Sequence, residues 1–501
     1  MPSTALVQAA RTSKARRPLL SKPSSWVTIS VLDLSVRESE NFDFFRRHTA
    51  REIPGCFRSA VWEQFVLQIS HREPAILHAA VAVGAMHRTS RAKSPSMQAL
   101  WVYEAPRHSF ALAQYVKSLG LLRSRLDAVQ DQSGDGAVDI ALLACLLFVC
   151  LEMLQGNRIG AMVHLRTGLR ILAGQTAQVH YAYGEGKRYL VRSSQSGSLM
   201  DGLTSIFCRL DYDATMFGER SPVLSLPCEQ GVPSTFTSLD EARHYLYALH
   251  NAVFHFRGEL LQRASLLLEE KEMDWVTRHC VQYATARKIN LSQDVALGSR
   301  LDHLKTALTV WLLSFRRLCR AFEPLRECIL LEIQHFYIFF IIHTWQDVTE
   351  VSCDRFNETF GRIVALADTF IHNSTTVDKS DTLTFTLESG IIPSLYMIAL
   401  KCRQSIIRRH AISLLYSTSC QEGMWEGALI AKFTEQLADM EDVGTGWKDD
   451  SGAADIPEGS RFSDVALAGS EDQPGYARLI CARFAHETTG ELVVCEKVFK
   501  V

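Results

Sequence analysis

Residues 140–154 offer water no polar face. They read Ile-Ala-Leu-Leu-Ala-Cys-Leu-Leu-Phe-Val-Cys-Leu-Glu-Met-Leu, apolar nearly all round a helical wheel. A helix with such a surface must be enclosed on most sides. The longest unbroken apolar run, 140–151, falls short of the roughly 18–20 residues that a bilayer span needs. Gly156 and Asn157 follow, and both residue types accept the positive φ of a helix C-terminus. Beyond them, Met162, Leu165, Leu169 and Leu172 mark one stripe of a second helix over 159–172. Two helices joined by so short a turn lie antiparallel. The rest of the chain must therefore supply further helices to cover this αα-hairpin.

It has the material to do so. Val61, Trp62, Phe65, Val66 and Ile69 recur at helical spacing. Glu73-Pro74 opens another helix through Ile76, Leu77, Ala80, Val81, Val83 and Met86, since proline is tolerated in a first turn. Similar patterns predict helices over 202–217, 239–270, 299–322, 325–347, 355–371, 392–406, 408–416 and 425–440. Near the end, β-prone runs at 478–485 and 491–499 flank a turn-forming segment, which is a hairpin signal. A lone hairpin is marginal in water, so it is expected to dock on the helices. The expected fold is all-α: a large array of antiparallel helix hairpins with a small C-terminal β-hairpin.

Four segments follow from composition. Residues 1–25 carry Arg11, Lys14, Arg16, Arg17 and Lys22 with no acid, and read as a disordered basic tail. Within it, Lys14, Arg16 and Arg17 form a nuclear-import cluster, part of a backbone-contacting arm, or a solvated basic patch. Residues 26–440 make the helical domain, 441–475 a flexible acidic, Gly-rich linker, and 476–501 the docking hairpin.

Charge and cysteine usage exclude several functions. Over 501 residues the formal net charge is −2, so no long-range field draws in nucleic acid or membrane. The 13 cysteines include no C-x-x-C pair, and several sit inside apolar runs such as those around Cys145 and Cys150. They read as reduced thiols of a cytosolic or nuclear protein. No secretory signal opens the chain, so the N-x-[ST] matches at Asn290, Asn357 and Asn373 are taken as chance.

Catalytic motifs are approached but not completed. Asp211, Asp213 and Thr215 resemble the D-x-D-x-T nucleophile loop of haloacid-dehalogenase-like phosphatases. That chemistry needs a strand tip, whereas residues 205–210 continue a helical pattern, so both carboxylates are expected on a helix surface. Gly184, Gly186 and Lys187 resemble a phosphate loop, but Tyr181 and Arg188 stand where glycine and Ser/Thr are required. His71, His78 and His87 are too widely spaced to chelate from one helix face, and His244, His250 and His255 likewise share no face. The expectation is no enzyme, no metal and no cofactor.

Several less generic segments resemble a known family. Residues 57–79, with Trp62, Glu63, Gln68, Ser70, Glu73, Pro74 and His78, look like the opening of the fungal-specific transcription factor region found behind zinc clusters. Residues 142–157 and 161–172 are similar to its most recognisable block. Phe207 to Asp211 with Phe217 and Gly218, Gly390 to Tyr396, Lys401 to Arg403, Ile407 to Ala411 and Glu422 to Glu426 fit later ones, over roughly 40 to 440 in all.

The resemblance implies an all-helical regulatory body in the nucleus or shuttling to it. It would restrain, dimerise or couple a DNA-binding module to effectors, as a homodimer or heterodimer with a DNA-binding regulator. The family's DNA reader is an N-terminal zinc cluster held by cysteine thiolates. Here no cysteine precedes Cys56, so this chain alone is expected to bind no zinc and to read no DNA sequence. An upstream coding segment, a co-regulator acting through partners, or a drifted role in a secondary-metabolite gene cluster each fit that departure. The alternative from another class is a helical scaffold or adaptor without a transcriptional role.

Overall fold

Three groups of helices follow one another along the chain. The first comprises α1 (Val36–Phe44), α2 (Ala50–Glu52), α3 (Val66–Ser70), α4 (Pro74–Arg91), α5 (Ser109–Val129), α6 (Ala137–Leu154), α7 (Arg158–Gln175) and α8 (Leu199–Ala214). The second is α9 (Leu239–Leu267), α10 (Trp275–Arg287), α11 (Val295–Cys319) and α12 (Arg326–Thr344). The third is α13 (Asn357–His372), α14 (Ile392–Lys401), α15 (Ser405–Ser417) and α16 (Gly427–Asp442), preceded by a 3-10 turn at Val351–Phe356. This computed structural model describes residues 34–91, 109–129, 136–175, 198–217, 219, 221–226, 231–268, 275–320, 325–347, 349–372, 384–418, 420–442, 456–469, 476–484 and 492–500.

The apolar helix α6 lies where its composition requires, enclosed by α4, α5, α7 and α8. Its end is a complete Schellman cap. Gly156 takes φ +76°, its N–H donates to Met153 O at 3.0 Å, and Asn157 N–H donates to Glu152 O at 2.9 Å. Asn157 also starts the next helix, its Oδ1 accepting from Gly160 N–H at 3.1 Å. One dipeptide thus closes α6 and opens α7, which is why the two run antiparallel. Across α7, Gly168 lies against the Phe207 ring of α8, and a Cβ there would overlap that ring. By length and composition α6 and α12 could each cross a membrane, yet both are mostly surrounded by protein.

Two small sheets tie the groups together. Strands β1 (Thr384–Thr386), β2 (Cys420–Glu422) and β3 (Trp425–Glu426) form the first, parallel between β1 and β2 and antiparallel between β2 and β3. Phe385, Leu387 and Met424 from its neighbourhood enter the core of the first helix group. Strands β4 (Asp464–Gly469), β5 (Tyr476–Phe484) and β6 (Leu492–Lys500) form the second, antiparallel throughout. Ala477, Leu479 and Cys481 alternate along β5 and pack with Leu429, Phe433 and Leu437 of α16 and Leu400 of α14.

The all-α expectation with its C-terminal hairpin describes this architecture, with three differences. The hairpin gains β4, which falls in the stretch expected to be linker. There Ile456 and Phe462 are buried, so the acidic composition conceals an ordered approach to the sheet. The helix expected over 392–406 breaks after Lys401, where Cys402 turns extended at φ −85° and ψ 122°. The cause is tertiary: Arg403 is drawn into a buried charge network described below. Finally, α5, α10 and the first sheet carry no pattern strong enough to have been expected.

Candidate functional site

Asp211 and Asp213 lie on α8, near its C-terminal end, and no strand tip presents them. They are also buried, at 3% and 6% exposure, which corrects the expectation of a helix surface. Asp211 accepts from Leu224 N–H at 2.7 Å, and Asp213 from Ser389 N–H at 3.4 Å. Burial pushes each carboxyl up to about 7, against the lowering effect of these hydrogen bonds. Their role is to pin the loop at Leu224 and the entry to α14 onto α8. Beside them Arg209 pairs with Glu388.

The histidines scatter. His78 Nδ1 meets Gln114 Oε1 at 2.7 Å, His87 Nδ1 meets Thr49 Oγ1 at 3.0 Å, and His250 donates to Leu246 O at 3.0 Å. Burial holds His250 down at about 4, so its imidazole is neutral. Among the described residues, no group of three potential ligands stands close enough to hold a metal ion. Lys14, Arg16 and Arg17, together with Gly184, Gly186 and Lys187, lie outside the described residues.

Two features that no motif announced lie side by side where the second and third helix groups meet β4. The first is a charge network. Glu350, just before the 3-10 turn, takes Lys401 Nζ at 2.8 Å, Arg403 Nη1 at 3.2 Å and Arg287 Nη1 at 3.3 Å. Burial alone would raise its carboxyl, but these cations outweigh it and hold it at about 2. Glu441 of α16 takes Arg403 Nη2 at 2.6 Å, Arg408 Nη1 at 2.8 Å and Phe462 N–H at 2.8 Å. Arg461 forks onto Asp354 at 2.9 and 3.0 Å, and Lys401 Nζ donates to Ser463 O at 2.7 Å. Residues 461–463, which lead into β4, are thereby fastened to α14, α16 and the 3-10 turn.

The second feature is a cavity of about 200 Å³ between α9, α10, α12, α14 and β4. Tyr283, Tyr337, Phe340, Trp345, Tyr396 and Trp425 make its aromatic lining, with Met216 and Val465. Glu350 and Lys401 form its polar end, so the network and the cavity share a wall. A second space of about 630 Å³ continues toward α7 and shares Met216, His279, Tyr283, Tyr396, Trp425 and Val465. An aromatic concavity with a few convergent polar groups has the character of a small-molecule site.

Comparison with known proteins bears on what this arrangement serves. A model of the fungal specific transcription factor domain matches residues 41–347, which take in α2 to α12 whole and the last residues of α1. The aspercryptin biosynthesis cluster-specific transcription regulator atnN of Emericella nidulans is 23% identical, over 92% of this chain and 83% of its own length. No solved structure matches the chain.

Proposed function

This chain belongs to the fungal specific transcription factor domain family, and from that footing we propose that it regulates transcription of a biosynthetic gene cluster. The observation that carries this reading is the length of the likeness to atnN, which runs across 92% of the chain and reaches far beyond the family domain. The structure is consistent with a protein that works by contact. Among the described residues, its buried carboxylates cap backbone N–H groups and pair with cations. We infer a nuclear protein that acts through protein partners, as a homodimer or alongside a DNA-binding regulator, and not as an enzyme.

Deleting the gene and measuring transcripts of the biosynthetic genes around it tests this directly. Transcripts should change several-fold and return on complementation. Unchanged transcripts in a strain shown to express the protein beforehand would leave the scaffold reading in its place. A tagged full-length protein should accumulate in nuclei.

A further inference from the structure

Arg257 of α9 lines the cavity and is buried, with 6% of its surface exposed. Its Nη2 donates to the backbone oxygen of Thr215 at 2.8 Å, and its plane lies over Phe254 at 4.6 Å. Its Nε has no acceptor. A guanidinium is always charged, and a buried charge normally finds a counter-ion. Of the carboxylates around the cavity, Glu350 is committed to Lys401, Arg403 and Arg287, Asp347 to Arg355 and Glu219 to Arg166, while Asp464 of β4 accepts from Ser463 Oγ at 3.1 Å and forms no ion pair with Arg257. Among the described residues Arg257 forms no ion pair, although it borders an open space. The same lining carries the indole N–H groups of Trp345 and Trp425, which also have no acceptor. These three donors face one unmatched acceptor in the lining, Asp347 Oδ2, whose charge is met by Arg355.

We propose that this cavity binds a small amphipathic carboxylic acid, with its carboxylate on Arg257 and its apolar body against Tyr283, Tyr337, Trp345, Tyr396 and Trp425. The anion supplies the missing counter-charge, and charge-assisted hydrogen bonds to a guanidinium are the strong ones. The aromatic walls accept a planar body, and the neighbouring space toward α7 admits a longer one. Val465 of β4 borders both spaces, so an occupant touches the sheet that the charge network holds in place. Binding rests on the cavity alone; calling the ligand an effector rests on the regulatory reading.

The test uses the full chain with naphthalene-2-carboxylate and its neutral analogue naphthalene-2-carboxamide as probes, followed by calorimetry and tryptophan fluorescence. The carboxylate should bind saturably, quench Trp345 and Trp425, and bind about tenfold or more tighter than the amide. Arg257→Gln keeps a donor for Thr215 O and should erase that preference without lowering Tm, because it removes an uncompensated buried charge. Equal affinity for the two probes, saturation by neither, or unchanged carboxylate affinity in Arg257→Gln overturns the proposal. Should Arg257→Gln fail to fold, Val465→Trp replaces it by filling the space: lost binding supports the site, and undiminished binding removes it. Unchanged cluster transcripts on gene deletion would remove the regulatory reading and leave these binding results standing.

Discussion

Arg403 and Glu441 meet at 2.6 Å with neither side chain exposing any surface to solvent. Glu441 also takes Arg408 and the N–H of Phe462, so one carboxylate joins the α14–α15 break, α16 and the segment leading to β4. Removing one partner of a buried pair strands the other, at about 3–5 kcal/mol. Glu441→Gln leaves two arginines facing a neutral amide. Urea unfolding should show a loss of about that size, with protease sensitivity rising first in the C-terminal sheet. A loss below about 1 kcal/mol would mean that the pair is solvated in solution.

Glu350 gives this junction an acid limit. Its carboxyl sits near 2 when folded and at 4.5 as the ordinary value, so the folded state holds fewer protons between those values. The stabilisation is complete above pH 4.5 and is lost as the pH falls toward 2, on the order of 3 kcal/mol. Glu350→Gln should therefore be less stable than wild type at pH 7, and the gap should narrow steadily on acidification. A gap independent of pH in urea titrations at pH 3, 5 and 7 would show that hydrogen bonding, not charge, dominates there.

Asp211 works with the opposite sign. Its carboxyl rises from 3.8 to about 7 because burial penalises the anion. The protonated form is the comfortable one, so this stabilisation is full below pH 3.8 and drains away as pH rises through 7. Asp211→Asn keeps an oxygen to accept from Leu224 N–H and carries no charge. It should match wild type near pH 4 and exceed it above pH 7 by up to about 4 kcal/mol. It should also leave phosphatase background untouched, since the residue caps a loop on a helix. Equal midpoints for the two proteins at pH 8 would place the ionised carboxylate in a better-solvated setting than described.

What could be read from the chain, and what could not, divides by range. The hairpin of α6 and α7 was legible because its signal is local: an all-round apolar helix, a Gly-Asn turn, and a single stripe. Strands β5 and β6 were legible from two β-prone runs around a turn. The break at Cys402 was not, since the residues that pull Arg403 inward, Glu350 and Glu441, lie far off in sequence. Strand β4 hid in an acidic, Gly-rich stretch whose order comes from the side chains of Arg461 and Phe462. Asp211 and Asp213 looked like surface carboxylates because helical periodicity does not reveal what packs across from a helix. The cavity has no sequence signature, because Arg257, Tyr283, Trp345 and Trp425 come from separate elements that only the fold brings together.

Gly168 tests how closely α7 and α8 approach. On an exposed helix face, Gly→Ala stabilises by roughly 1 kcal/mol, because alanine loses less backbone freedom on folding. At this position a Cβ would overlap the Phe207 ring, whose side chain is fully buried and has nowhere to retreat. Overpacking of that kind costs about 1–3 kcal/mol. Gly168→Ala should therefore destabilise the protein despite its better helix propensity. Phe207→Leu makes room for the methyl group, so the double variant should be more stable than the two single losses added together, by about 1 kcal/mol or more. A Gly168→Ala protein that melts higher than wild type would show the two helices standing further apart than the structure places them.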